Sequence, residues 1–159
     1  MQTIIVETQI AAPQERCFLL SLSIDLHMAS TAGRGERAIA GVTHGLIGLG
    51  QTVTWQGRHF GLVLTHETRI TLYDRPYHFQ DVMVKGAFRS FVHDHFFEQC
   101  EDGTRMRDEL RFAAPLGPLG WIAEAFVLRR YLSRFLRERN EAIRRTAEGP
   151  DAAWRSYLN

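Results

Sequence analysis

The chain has 159 residues, enough for one domain, with 45% hydrophobic and 23% charged residues, the balance of an ordinary globular fold. A net charge of +1 gives no bulk attraction to nucleic acid or to an anionic membrane, and no apolar run approaches the roughly eighteen residues of a membrane span. Cys17 and Cys100 have neither metal-ligand spacing nor a disulfide framework, and the start of the chain lacks the basic residues and apolar length of a signal peptide, so a reducing cytoplasm is the expected location.

Thr3 to Ile10 alternates apolar and polar residues and predicts a strand. Pro13 suits the first turn of a helix whose apolar face is Cys17, Phe18, Leu19, Leu22 and Leu26; a break near Ser21 to Ser23 divides it into two short helices ending by Ser30. Gly33-Arg34-Gly35 is a turn and Glu36 to Ala40 a short strand. Gly45, Gly48 and Gly50 lie close together but lack the Lys-Ser/Thr pair and following helix of a phosphate loop; they read as a turn into the next strand.

Five further strands follow: Thr52 to Arg58, Leu62 to Tyr73, Tyr77 to Lys85, Phe88 to Gln99 and Thr104 to Phe112. Asp74-Arg75-Pro76 and Glu101-Asp102-Gly103 supply two of the turns between them. Gly117 to Ala147 then predicts one long amphipathic helix, opened by Pro118 and closed by Gly149-Pro150. Its first half is apolar over a wide arc, and we expect that half to face the sheet. Its second half carries most of the seven Arg between Arg129 and Arg145, interrupted by Glu138 and Glu141, which reads as a solvated face and not a nucleic-acid helix. Residues 1–149 are expected to form one domain and 150–159 a short tail, whose Trp154, Tyr157 and Leu158 are candidates to dock on the sheet or on a second subunit.

This order resembles the helix-grip fold of the START/SRPBCC superfamily, which includes polyketide cyclase/dehydrase-like and lipid-transfer-like proteins. The resemblance rests on Pro13 to Phe18, His27, Thr31, Gly45 to Gly50 before Val53-Thr54-Trp55, and Arg58 to Gly61. It continues through Pro76 to Asp81, Gly86-Ala87-Phe88, His93 to Phe97, Asp108, and Pro115 to Gly120. It implies an α+β fold in which a curved seven-stranded antiparallel sheet wraps around a long C-terminal helix, with two short helices after the first strand. It also implies a cavity for a hydrophobic small molecule between sheet and helix, without fixing one activity.

Strand alternation assigns the concave face. Trp55, His66, Phe79, Asp81 and Met83 fall on it from the first three of these strands, together with Leu62, Leu64, Ile70 and Leu72. Phe91, His93, His95 and Phe97 follow, and then Met106, Asp108 and Leu110. Ile122 and Phe126 are the expected contributions of the helix. Most of these are apolar, as a ligand pocket requires, but His66, Asp81, His93, His95 and Asp108 are titratable. If the last hairpin pairs Gln99 with Thr104, His95 faces Asp108, Phe97 faces Met106 and His93 faces Leu110. A slip of one residue is excluded by facing, whereas a slip of two would move the partner to Phe97 and dissolve the direct pair.

His93, His95 and Asp108 admit three readings: a structural anchor, a recognition site for the polar end of a ligand, or a catalytic group in which Asp108 holds a histidine that takes a proton from carbon. His-X-His in a strand puts both rings on one face, and an aspartate could complete a facial triad. The resemblance does not point to metal there, and neither a metal nor a cofactor is expected. The function expected from the sequence is binding of a lipid, isoprenoid or polyketide-like molecule; the alternative is a polyketide cyclase or dehydratase using the inward cluster. A domain acting mainly through a protein partner or self-association is a third reading, and the pattern leaves a homodimer open.

Overall fold

The structure, a computed structural model, describes residues 1–114 and 124–158. Seven strands form one antiparallel sheet: β1 (Gln2–Ile10), β2 (Arg37–Gly41), β3 (Thr52–His59), β4 (Leu62–Asp74), β5 (His78–Lys85), β6 (Ser90–Cys100) and β7 (Gly103–Ala113). Their order is β1-β7-β6-β5-β4-β3-β2, so the meander from β2 to β7 returns to pair with the first strand. Helices α1 (Gln14–Ser21) and α2 (Ile24–Ser30) carry the chain from β1 to the far edge of the sheet. The break between them is made by Ser23, whose hydroxyl accepts the Leu26 N–H as the N-cap of α2. A π-helical turn, Glu124–Leu128, leads into α3 (Arg129–Glu148), and α4 (Asp151–Arg155) follows. This is the helix-grip architecture expected from the order of elements.

Phe18 on α1 closes one end of the concave face. Its ring meets those of Tyr73, Phe79 and Phe97 edge-on at 5.4, 5.6 and 5.4 Å, geometry worth about 0.5–1.5 kcal/mol per pair beyond area burial. Toward the other end, Ile4 and Val6 of β1 and Leu110 and Phe112 of β7 pack against Leu132 and Leu136 of α3. The tail returns to α1, where the Arg16 guanidinium lies 4.3 Å from the Trp154 ring centre.

Two expectations about facing are corrected. The β4–β5 ladder shifts between Ile70 and Leu72, making Thr71 an extra residue on β4. The alternation flips there: Leu72 turns outward, 37% exposed, while Tyr73 turns in against Phe18. Leu62, also expected inside, is 64% exposed because it flanks the β3–β4 hairpin tip, where Phe60 and Gly61 both have positive φ (53° and 80°).

The helix is corrected as well. The first half is expected to face the sheet; residues 117–123 of it lie outside the described residues, Leu128 and Tyr131 line the cavity, and the inward stripe runs on through the charged half, where Leu132, Leu136, Arg139, Asn140, Ile143 and Ala147 are buried at three- and four-residue steps. Phe126 is 72% exposed and Val127 53%, and Ile122 lies outside the described residues. The outer charges pair among themselves, Arg144 with Glu141 and Glu148, Arg134 with Glu138, consistent with a solvated face.

Candidate functional site

A cavity of about 270 Å³ lies between the concave sheet face and α3. Ile24 of α2, Val53 and Trp55 of β3, Phe79 of β5, Phe91 of β6 and Leu132 of α3 are among its apolar walls. Opposite Leu64 stands Gly57, whose missing side chain keeps the space clear; a Cβ there would come within 2.6 Å of Glu36 Cγ. Toward the hairpin tip Phe60, 56% exposed, forms part of the lining.

On one wall the central strands bring four titratable groups together. The register is the expected one: His95 faces Asp108, Phe97 faces Met106 and His93 faces Leu110 across β6 and β7. On the other side of β6, Asp81 of β5 faces His93. The two imidazoles therefore stand between two carboxylates. Asp108 Oδ1 lies 2.7 Å from His95 Nδ1 and 3.0 Å from His93 Nε2. The second ring nitrogens turn the other way, with His95 Nε2 3.0 Å and His93 Nδ1 3.7 Å from Asp81 Oδ2. From α3, Asn140 Nδ2 donates to Asp108 Oδ2 at 2.6 Å and Arg139 Nη1 stands 3.7 Å from Asp108 Oδ1. The Arg139 guanidinium also donates to the Ser21 carbonyl.

These neighbours set the protonation states. Burial works to raise the Asp108 pKa, but the two imidazoles outweigh it and hold it well below the usual carboxylate range. Asp81 is lowered in the same way, against burial, by His95 and His93. The histidines diverge. Burial and the charge of its neighbour push His93 down, whereas for His95 the bonds to Asp108 and Asp81 overcome burial and push it up. Their rings are 3.8 Å apart, too close for both to carry a proton cheaply.

A second cluster, unread in the sequence, lies toward the hairpin end. Glu36, just before β2, accepts from His27 of α2 at 2.9 Å and lies 3.2 Å from His59 Nε2 at the end of β3. His59 Nδ1 is 2.6 Å from the Tyr131 hydroxyl of α3, and His27 stacks on Trp55 at 4.1 Å. Burial raises the Glu36 pKa, but the two histidines bring it down to about 2. Of its members, His27, Trp55 and His59 carried a sequence signal, whereas Glu36 and Tyr131 carried none.

Of the expected site residues, Trp55, His66, Phe79, Asp81, Phe91, His93, His95 and Leu110 line the cavity. Asp108 is behind the histidines and fully enclosed. Phe97 and Met106 are on the concave face, but α1 covers that end: Phe97 meets Phe18, and Met106 lies 3.6 Å from the Ser21 hydroxyl. Met83 faces Thr68 across the β4–β5 ladder and is not in the lining, and Phe126 points to solvent. His66 Nε2 is buried with no hydrogen-bond partner among the described residues, its ring 4.8 Å from that of Phe91. Burial pushes the His66 pKa down.

Comparison with solved structures places the fold in a known class. A protein of Thermus thermophilus superposes with a TM-score of 0.70 at 15% identity, covering 89% of this chain and 97% of its own. Ginseng major latex-like protein 151 from Panax ginseng gives 0.65 at 14%, covering 93% and 98%, and Ara h 8.0201 gives 0.60 at 12%, covering 89% and 97%. At these identities the likeness is one of fold alone, a curved antiparallel sheet gripping a long C-terminal helix. No protein-family model matches the sequence, and no curated relative does.

Proposed function

We propose that the protein binds a small, mostly apolar molecule of lipid, isoprenoid or polyketide-like character in the cavity between the sheet and α3. The observation that carries this reading is a largely apolar cavity whose charged and titratable lining falls into two groups, Asp81, His93 and His95 with Arg139 on one wall and Glu36, His27 and His59 with Tyr131 toward the hairpin end. His66 Nε2 supports it: a buried ring nitrogen without a partner among the described residues, in an aromatic setting, is a group that a ligand hydroxyl or carbonyl would satisfy. At about 270 Å³ the space falls just under the roughly 300–1,000 Å³ of drug-sized sites, which favours a compact ring system or short prenyl chain over a two-chain lipid. No helix among the described residues is long and apolar enough to cross a membrane.

Native mass spectrometry of the protein purified from its own host tests this. The expected result is a co-purifying molecule that is lost on denaturation and absent from the Leu64→Trp variant. The reading fails if the protein emerges empty and also takes up no environment-sensitive apolar dye.

A second reading, cyclisation or dehydration of a polyketide-like substrate, is favoured by His93. Its ring has Asp108 behind it and borders the cavity, and burial holds it toward the neutral form that a general base needs. A folded His93→Gln variant that retains ligand but loses turnover would establish it.

A further inference from the structure

The geometry points to a site for a divalent first-row transition-metal ion, held by Asp81 Oδ2, His93 Nδ1 and His95 Nε2 on the cavity wall. The residues offer a His-X-His pair and an aspartate for a facial triad, the resemblance does not point to metal, and the inference does not depend on what the cavity binds.

The three donors converge. They lie within 4.8 Å of one another, with His95 Nε2 3.0 Å and His93 Nδ1 3.7 Å from the same oxygen, Asp81 Oδ2. A metal bonded at about 2.0–2.2 Å to imidazole nitrogen and carboxylate oxygen needs its donors roughly 3–3.5 Å apart. Side-chain shifts of about an ångström or less therefore bring the set around an ion.

The groups behind the donors are those such a site requires. Ligating histidines are oriented by a hydrogen bond from their other ring nitrogen, commonly to a carboxylate. Here one buried oxygen, Asp108 Oδ1, stands at ion-pair distance from both rings, 3.0 Å from His93 Nε2 and 2.7 Å from His95 Nδ1, and a small rotation of either ring would complete the hydrogen bond that none of the three atoms makes in this arrangement. Asn140 Nδ2 holds the other Asp108 oxygen at 2.6 Å, so the orienting carboxylate is itself fixed. A pair of histidines serving only to neutralise Asp108 would not need Asp81 on their far side.

Position separates this arrangement from a structural ion-pair network. Asp81, His93 and His95 all line the cavity, while Asp108 does not. The Asp81 side chain retains 17% of its exposure, whereas that of Asp108 has none. Arg139, 3.7 Å from Asp108 Oδ1, offsets the Asp108 charge, which leaves the Asp81 carboxylate and the two ring nitrogens turned toward it as the donors for a cation. Two imidazoles and one carboxylate on one side of an ion, with its remaining positions open, suit iron, cobalt, nickel or zinc in preference to magnesium or calcium. Open positions toward the cavity would let the ion take an oxygen of whatever the cavity holds.

The test uses Co²⁺ alone as the probe. The full chain is stripped with a chelator, freed of it, and titrated with CoCl₂ while the visible d–d absorption is followed. One equivalent is expected to bind with bands of imidazole-ligated cobalt. Asp81→Asn and His93→Gln are each expected to weaken binding by more than the roughly 10–100-fold that loss of an orienting partner costs. His44→Gln, at an exposed histidine away from the cavity, is expected to bind as the parent does. Circular dichroism confirms that each variant is folded. No uptake by the parent chain overturns the proposal whatever the variants do. So does uptake that His44→Gln abolishes, or that a folded Asp81→Asn and His93→Gln both retain in full. An empty cavity in native mass spectrometry leaves the metal result untouched, so the two readings fail separately.

Discussion

His95 and Asp108 face each other across β6 and β7, with Nδ1 of the one 2.7 Å from Oδ1 of the other. The pair is covered on its far side by Asn140 and Arg139 of α3, so the sheet and helix are joined through one carboxylate with no exposure. Removing one partner of a buried charge network leaves the others uncompensated, at a cost of about 3–5 kcal/mol. Asp108→Ala is therefore expected to lower stability by that amount in urea unfolding. Asp108→Asn, which keeps the shape but must turn an amide N–H toward either a histidine or Asn140, is expected to cost less. Equal stability for the parent and Asp108→Ala would show that the network contributes nothing to holding α3 on the sheet.

Glu36 gives the fold a defined response to acid. His27 of α2 and His59 of β3 face its carboxylate, His59 is held by Tyr131 of α3, and the pKa is lowered from 4.5 to about 2. The unfolded chain binds the Glu36 proton at higher pH than the folded one does. The stabilisation is thus complete above about pH 4.5 and is lost as pH falls toward about 2. Its size is on the order of 3 kcal/mol. Urea unfolding between pH 7 and pH 2.5 is expected to show a steeper loss for the parent than for Glu36→Gln. The variant starts lower at neutral pH, and parallel curves would refute the assignment.

Much of this was legible in the sequence because two rules are strict. Alternation fixes which face each residue takes and excludes a slip of one, and the hairpin closing on Gln99 and Thr104 around Glu101-Asp102-Gly103 then selects His95 opposite Asp108 over the register two residues away. Three things escaped, each for a physical reason. Alternation cannot foresee a bulge, and the extra Thr71 reversed Leu72 and Tyr73. It names a face but not what covers each end of it, so Phe97 and Met106 were read as lining although Phe18 and Ser21 of α1 cover them. And Glu36 stands beside three turn residues in sequence; its partners come from α2, β3 and α3, and nothing local announces the meeting.

The space opposite Gly57 offers a direct way to fill the cavity. Leu64 faces this glycine across the β3–β4 ladder and is only partly buried, so a larger side chain there enters the cavity without displacing the core around Phe18. Leu64→Trp is expected to change stability by no more than the roughly 1–3 kcal/mol typical of overpacking. It should reduce uptake of an apolar fluorescent dye by more than tenfold, a loss of about 1.4 kcal/mol or more in binding free energy. A folded Leu64→Trp that takes up dye as the parent does would mean that the dye, and the proposed ligand, bind elsewhere.

His66 separates stability from recognition. Its Nε2 is buried without a partner among the described residues, between the rings of Phe88 and Phe91. An unsatisfied buried polar group costs about 1–3 kcal/mol, and an apolar replacement of similar size removes that cost. His66→Leu is thus expected to raise the unfolding free energy of the ligand-free protein by about 1 kcal/mol, set against some loss of aromatic contact. The same change should weaken the natural ligand relative to an apolar dye, because only the former has an oxygen for the imidazole to meet. Thermal unfolding with and without the co-purified molecule reads both effects. A gain in stability with unchanged ligand affinity would make His66 a neutral passenger of the wall. A loss of stability would mean that the imidazole already has its partner within the fold.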